Sequence, residues 1–313
     1  LASEQIKADI SNAIFSGELS LDGRIRSVPG ILPQALMAHE RGFTELFIPE
    51  ENAIEAAIIK DLTIYPLSTL RALFLHLTQE RLLTPVPPLK LTDEDTVVFE
   101  FDMADIKGQH QAKRGLEIAA AGGHNLLMKG PPGAGKTLLA RTFPSILPHL
   151  TFEETVEVTK IYSIAGLLSR DSVIRNRPFR SPHHTTSLVG LIGGSSTPRP
   201  GEVTLAHRGV LFLDEFPEFP RSVLESLRQP IEDGIVSIAR AASKVTFPAK
   251  VMLIAAQNPC PCGYLGDKSR SCSCSVPSRA SRSPRGTWRS GANESFVTSP
   301  AKTSSHTASI AAA

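Results

Sequence analysis

Gly130-Pro131-Pro132-Gly133-Ala134-Gly135-Lys136-Thr137 puts three glycines, a lysine and a hydroxyl into eight consecutive residues. An apolar run at 125–128 precedes it, and Leu138-Leu139-Ala140-Arg141, a good helix start, follows. Strand, glycine loop and helix in that order make a cradle for phosphate. Glycines let successive backbone N–H groups curl around an anion, and the helix N-terminus adds a favourable dipole. The spacing matches the P-loop pattern at every required position. Lys136 is expected to reach the β- and γ-phosphates of ATP, and the Thr137 hydroxyl to ligate Mg²⁺. ATP and Mg²⁺ are therefore the expected cofactors.

Val210-Leu211-Phe212-Leu213-Asp214-Glu215 is the expected second half: an apolar strand ending in two carboxylates. Such strand ends are where open α/β sheets hold their ligands. Asp214 is expected to hold the Mg²⁺ shell and Glu215 to act as general base on the attacking water. A third apolar run, Ile254-Ala255-Ala256-Gln257, ends at Asn258-Pro259. Asn258 is expected to orient that water, a plain Asn-Pro turn being the alternative. Cys260-Pro261-Cys262 and Cys272-Ser273-Cys274 form two Cys-x-Cys pairs. Four thiolates at this spacing can close a tetrahedral Zn²⁺ site; reduced structural thiols are the alternative, Cys-x-x-Cys being the commoner zinc spacing.

Elements must position these groups. From 101 to about 266, short apolar strands alternate with helical or glycine-rich stretches, which predicts an α/β fold with a mostly parallel sheet. Strands are expected at 125–128, 209–213 and 251–256, apolar at nearly every position and so covered on both faces. Upstream, the pattern predicts a helix over 4–15, a hairpin over 17–25 turning at Asp22-Gly23, a helix at 35–40, a strand at 46–49, a helix at 53–59, a strand at 62–65 and a helix at 70–77. Thr84-Pro85-Val86-Pro87-Pro88 is stiff and marks a linker over 84–100. From Ser275 the apolar periodicity ends, leaving a tail at 275–313 with no visible means of building a core.

The chain has 313 residues, 41% hydrophobic and 20% charged, which is ordinary globular usage and argues against a disordered chain or a coiled coil. No run approaches the ~18 apolar residues of a membrane span, so no membrane partner is expected. The opening Leu1-Ala2-Ser3-Glu4-Gln5 has no signal-segment pattern. Four cysteines in so long a chain fit a reducing, cytoplasmic compartment. Without an initiator Met the chain reads as a fragment. Its formal charge is +2, but the tail from Ser275 holds five basic residues and one acid, so the remainder stands at −2. Global charge is thus no pointer to nucleic acid.

Together these motifs resemble the magnesium-chelatase-like AAA+ ATPases, and within them the family of ComM-type, YifB-like competence proteins. The likeness extends through Asp105-Ile106-Lys107-Gly108-Gln109, Phe179-Arg180-Ser181-Pro182-His183-His184-Thr185, Leu205-Ala206-His207 and Asn258-Pro259-Cys260-Pro261-Cys262-Gly263. It implies a P-loop AAA+ core over 101–274 and an ATPase motor subunit, self-associated into a ring, a hexamer by resemblance. Such a motor would act on DNA as a helicase or branch-migration factor in transformation and recombination. A metal-insertion subunit of the chelatase type and an inactive nucleotide-binding fragment remain the alternatives. Residues near 178–207 resemble the family's helix-2 insertion, with His183 and His184 as its structural residues, though a ligand or base role is open to them. Residues 235–247 resemble its hairpin, which makes Arg240 and Lys244 candidate DNA contacts. Residues 1–83 resemble part of a Lon-protease-like domain (ribosomal S5 domain 2-like). Where Lon-type proteases carry Gly-Gly-Leu-Lys-Glu-Lys with the catalytic lysine, this chain reads Pro29-Gly30-Ile31-Leu32-Pro33-Gln34, so no peptidase is expected. The lid and arginine finger that such ATPases carry after the sensor strand have no counterpart in the text after Cys274, which reads as an aberrant, frameshifted or disordered end.

Overall fold

The computed structural model describes residues 8–89, 99–168, 173–194, 198–239, 244–265, 271–275 and 308–311. The chain divides into two units: Leu1–Thr96 with Thr151–Arg175, and Val97–Leu150 with Asn176–Ala313.

The first unit runs β1 (Ala13–Phe15), β2 (Glu18–Leu19), β3 (Ile25–Arg26), α1 (Ile31–Glu40), β4 (Glu45–Pro49), α2 (Ala53–Ala56), β5 (Thr63–Leu67) and α3 (Leu70–Leu77). β1, β4 and β5 form a parallel sheet with β4 in the middle, and β2–β3 is the expected antiparallel hairpin. Side chains alternate across β4. Leu46 and Ile48 pack with Ile31, Ala35 and Ala38 of α1. Phe47 faces the other way and stacks between Phe15 and Tyr65, at ring distances of 4.9 and 4.7 Å.

Three sequence expectations change here. The helix expected over 4–15 gives way at its end to β1, because Ala13–Phe15 pairs with β4 and Phe15 stacks on Phe47 there; residues 1–7 lie outside the described residues. α1 begins at Ile31, not 35. Pro33 falls in its first turn, where the missing N–H costs no hydrogen bond. The start of the 84–100 linker is also engaged: the Val86 N–H donates to Ile64 O at 2.8 Å and the Leu89 N–H to Ala57 O at 2.8 Å. The stretch 90–98 lies outside the described residues.

The second unit starts with α4 (His110–Gly122), β6 (Leu126–Lys129) and α5 (Lys136–Thr142). The chain then forms α6 (Phe152–Ala165), which belongs to the first unit, although the sequence reading placed all of 101–274 in one core. A capping box fixes its start: the Thr151 side chain accepts from the Glu154 N–H while the Glu154 carboxylate accepts from the Thr151 N–H. α6 packs on α1, and the Gly30 N–H donates to Ser163 O at 3.0 Å.

The second unit resumes with β7 (Phe179–Arg180), α7 (Leu188–Ile192), α8 (Glu202–Leu205), β8 (Val210–Leu213), α9 (Arg221–Ser226), α10 (Arg228–Asp233), β9 (Ile235–Ala239), β10 (Lys244–Pro248), β11 (Met252–Gln257) and β12 (Ala308–Ala311). β9 and β10 form the expected antiparallel hairpin. The main sheet has the order β12-β6-β11-β8-β7, every neighbouring pair parallel, as the apolar strands predicted. Within the stretch expected to lack a core, Ala308–Ala311 takes the edge position beside β6; residues 276–307 lie outside the described residues.

Alternation again builds two layers. Leu126, Met128, Val210, Phe212 and Ile254 pack under Leu116, Leu139 and Phe143. Leu127, Leu211, Leu213 and Ala255 pack against Val203, Val223, Leu227 and Val236. The stretch expected as an insertion, 178–207, instead opens with a strand of the sheet itself. Its far end is tied back by a two-pronged ion pair, Arg180 Nε and Nη2 donating to the two Glu202 carboxylate oxygens at 2.6 and 2.7 Å. Both side chains are mostly buried. Arg180→Ala is expected to cost about 1–2 kcal/mol of stability, between the exposed and fully buried limits for breaking such a pair. Urea unfolding with an unchanged midpoint would refute this.

Candidate functional site

Parallel strands deliver the glycine loop, Asp214, Glu215 and Asn258 to one edge. The loops after β6, β8, β11 and β7 all emerge at the carboxyl end of the sheet, and their strands are neighbours in it. Between them lies a cleft of about 630 Å³. Its walls include Pro132 to Thr137, Asp214, Glu215 and Asn258.

The loop 130–135 joins β6 to α5. Gly135 caps α5 at φ 80°, left-handed backbone that a side chain would strain. The Gly130 N–H donates to Gln257 O at 3.3 Å, which ties the loop to the end of β11. Lys136 is 8% exposed, and its ammonium donates to Gly130 O and Pro131 O at 2.8 Å each and to Asn258 Oδ1 at 3.1 Å. Burial pushes its pKa below the ordinary lysine value, and the charge of Asp214 pulls it back up. Gly130 and Pro131 thus serve as carbonyl partners of Lys136, while Pro132, Gly133, Ala134 and Gly135 face the cleft.

The Thr137 hydroxyl donates to Asp214 Oδ2 at 2.6 Å, across 77 residues of sequence. Asp214 Oδ1 accepts the Glu215 N–H at 2.9 Å. Glu215 itself sits at φ 48°, a strained backbone for a residue with a Cβ and the kind of outlier that gathers at functional sites. One Glu215 carboxylate oxygen lies 3.4 Å from His184 Nδ1. Thr137 and Asp214 are hard oxygen donors in contact, a donor set that suits Mg²⁺.

His183 and His184, expected chiefly as structural residues with a ligand or base role open to them, line the cleft together with Ser181 and Pro182. This stretch follows a strand of the same parallel sheet. Phe179-Arg180 is too short to announce itself as one.

The DNA candidates divide. Lys244 opens β10 on an exposed position opposite Ala239 in the hairpin. Arg240 lies outside the described residues.

The four cysteines converge. Cys260 Sγ lies 3.4 Å from Cys262 Sγ and 3.7 Å from Cys272 Sγ, and Cys262 Sγ lies 3.7 Å from Cys272 Sγ. The Cys262 N–H donates to Cys274 Sγ at 3.3 Å. The Tyr264 backbone and the Cys260 thiol hold the Cys262 pKa down to about 6. Cys274 is pushed up to about 11: the Cys262 N–H favours its thiolate, but burial and the surrounding thiols outweigh it.

Among the described residues, no helix is long and apolar enough to cross a membrane.

A family model described as "Magnesium chelatase, subunit ChlI" matches residues 102–285, and one described as "Subunit ChlI of Mg-chelatase" matches residues 1–52. The chain is 43% identical over 271 residues to "Uncharacterized protein YifB" of Escherichia coli K12, covering 86% of this chain and 53% of that one. It is 44% identical over 278 residues to "Competence protein ComM" of Haemophilus influenzae, again covering 86% and 53%. The chain therefore spans about half the length of the curated relatives it matches. A solved structure of the complex between magnesium chelatase subunits BchI and BchD is similar at 25% identity and a TM-score of 0.42, over 51% of this chain and 55% of that one. The phosphate-loop, carboxylate and asparagine segments all fall inside the matched stretch 102–285, and the chain belongs to the magnesium chelatase subunit ChlI family, as a ComM/YifB-like member.

Proposed function

We propose that this chain is the nucleotide-binding part of an AAA+ motor subunit that binds ATP with Mg²⁺, hydrolyses it, and works on DNA within a ring. The observation that carries the reading is the contact of Thr137 with Asp214, beside a lysine already bonded to Asn258. Thr137 and Asp214 would hold Mg²⁺, which would neutralise phosphate charge. Lys136 would exchange its loop carbonyls for phosphate oxygens. Glu215 would take the proton of the attacking water, and Asn258 would orient that water.

The DNA role is supported by the resemblance to competence proteins and by the exposed Lys244 on its hairpin. A phosphate contact there makes binding salt-dependent. Lys244→Ala is expected to weaken duplex binding for all sequences alike and to reduce the slope of log affinity against log salt by about one. Fluorescence anisotropy across a salt series reads this, and an unchanged slope would remove Lys244 from the interface.

The family description favours a second reading, an ATPase that drives metal insertion through partner subunits. Phosphate release with and without duplex DNA separates the two. Stimulation by DNA supports the motor; no DNA binding at moderate salt sinks it; nucleotide binding without turnover marks an inactive fragment.

We read the first unit as part of a Lon-protease-like domain without the catalytic lysine. The residues standing where that run would lie open α1, and Ile31 and Leu32 are fully buried there.

A further inference from the structure

We propose that Cys260, Cys262, Cys272 and Cys274 bind one Zn²⁺, and that this site clamps the loop after β11 against the phosphate loop. The second half rests on the nucleotide reading above; the first half does not.

The donor set is four thiols from two short segments, whose ligand atoms all lie within 4.8 Å of one another. With Zn–S bonds of about 2.3 Å, a regular tetrahedron has S···S edges of about 3.8 Å. The observed separations of 3.4, 3.7 and 3.7 Å need only small adjustments to reach it. They are far from the ~2.0 Å of a disulfide, and the sulfurs cluster as a group instead of pairing. Soft thiolates select zinc over the hard cation suited to Thr137 and Asp214. The Cys262 N–H aimed at Cys274 Sγ is the kind of outer-shell bond that orients a metal-binding thiolate.

The site has a mechanical connection to the cleft. Cys260 is fully buried and lies two residues after Asn258. Its carbonyl accepts the Gly263 N–H at 2.9 Å, closing a tight turn. Gly263 has φ 86°, and a Cβ on it would come 2.4 Å from Pro132 Cδ. The turn therefore presses bare backbone onto a residue of the phosphate loop. Fixing the four sulfurs holds that turn from one side and Asn258 from the other. Without metal, the turn loses its cross-link and the phosphate loop loses a wall.

The test uses the full chain purified under reducing conditions, with zinc measured by elemental mass spectrometry. About one zinc per chain is expected, with the thiols shielded from a thiol reagent until metal is stripped. Zinc below about 0.2 per chain after incubation with excess Zn²⁺ and desalting, with freely reactive thiols, overturns the site. Paired Cys272→Ser and Cys274→Ser substitutions should abolish retention. Because that variant can misfold, the coupling is read on the unmodified chain, stripped with a strong chelator and then resupplied with Zn²⁺. Affinity for a fluorescent ATP analogue should fall about tenfold on stripping, about 1.4 kcal/mol, and return with zinc. An affinity unchanged within about twofold overturns the clamp. Gly263→Ala should keep its zinc and still weaken nucleotide binding. Loaded zinc with no nucleotide binding in any form would sink the nucleotide reading and leave the metal site standing.

Discussion

Glu215→Gln is expected to lower ATP turnover by about 10²–10⁴-fold while leaving nucleotide affinity within about twofold, the loss typical of a removed general base. The amide keeps the shape of the carboxylate but cannot accept the proton of the attacking water. Binding should survive, because the Glu215 side chain makes none of the contacts that hold the phosphate loop. Its backbone N–H bond to Asp214 is also untouched by the substitution. The strained φ of 48° keeps the carboxyl at the cleft, where His184 is its neighbour at 3.4 Å. Steady-state phosphate release paired with a binding titration decides the matter. Turnover above about a tenth of the original, with binding intact, would take the base role from Glu215.

Lys136→Ala should do the reverse in the binding assay. Affinity for ATP is expected to fall about 100-fold, about 2.7 kcal/mol. That is in line with losing one charged donor to phosphate and the loop order it maintains. Gly130 O, Pro131 O and Asn258 Oδ1 all lose their shared donor at once. The loop and the end of β11 then come apart as well as losing a charge, so Lys136→Arg, with a longer planar head, should not restore binding. Isothermal titration with an ATP analogue checks this, and affinity within about threefold of the original would show that Lys136 does not reach the phosphates. The two variants form a pair: one blocks the chemistry with the nucleotide held, the other prevents its capture.

Much of the site is legible in the text because its parts are local. Gly130 to Thr137 specifies its own backbone path, with glycine at the left-handed position before α5, and its strand and helix lie on either side within a few residues. Val210 to Leu213 and Ile254 to Ala256 show their burial by being apolar throughout. The Asp22-Gly23 turn announces the β2–β3 hairpin in the same way. The Thr151/Glu154 capping box marks where α6 starts, but not which unit α6 joins.

What stayed hidden depends on partners far away in the chain. Ala13–Phe15 follows helical spacing but becomes a strand, because β4 offers hydrogen bonds and an apolar face that no local preference supplies. Phe179-Arg180 is a strand only because β8 lies beside it.

By itself, then, the sequence determined the chemistry on offer: a glycine-rich loop with a lysine and a threonine, two carboxylates, an asparagine and four thiols. Only the tertiary structure decided what meets what. Stacking β6, β11 and β8 in parallel brings Thr137 to Asp214 across 77 residues and Lys136 to Asn258 across 122. It also sets His184 beside Glu215 and the Gly263 turn against Pro132. The physical reason is that strand pairing and burial of both sheet faces are non-local: their free energy comes from contacts between segments that neither segment encodes alone.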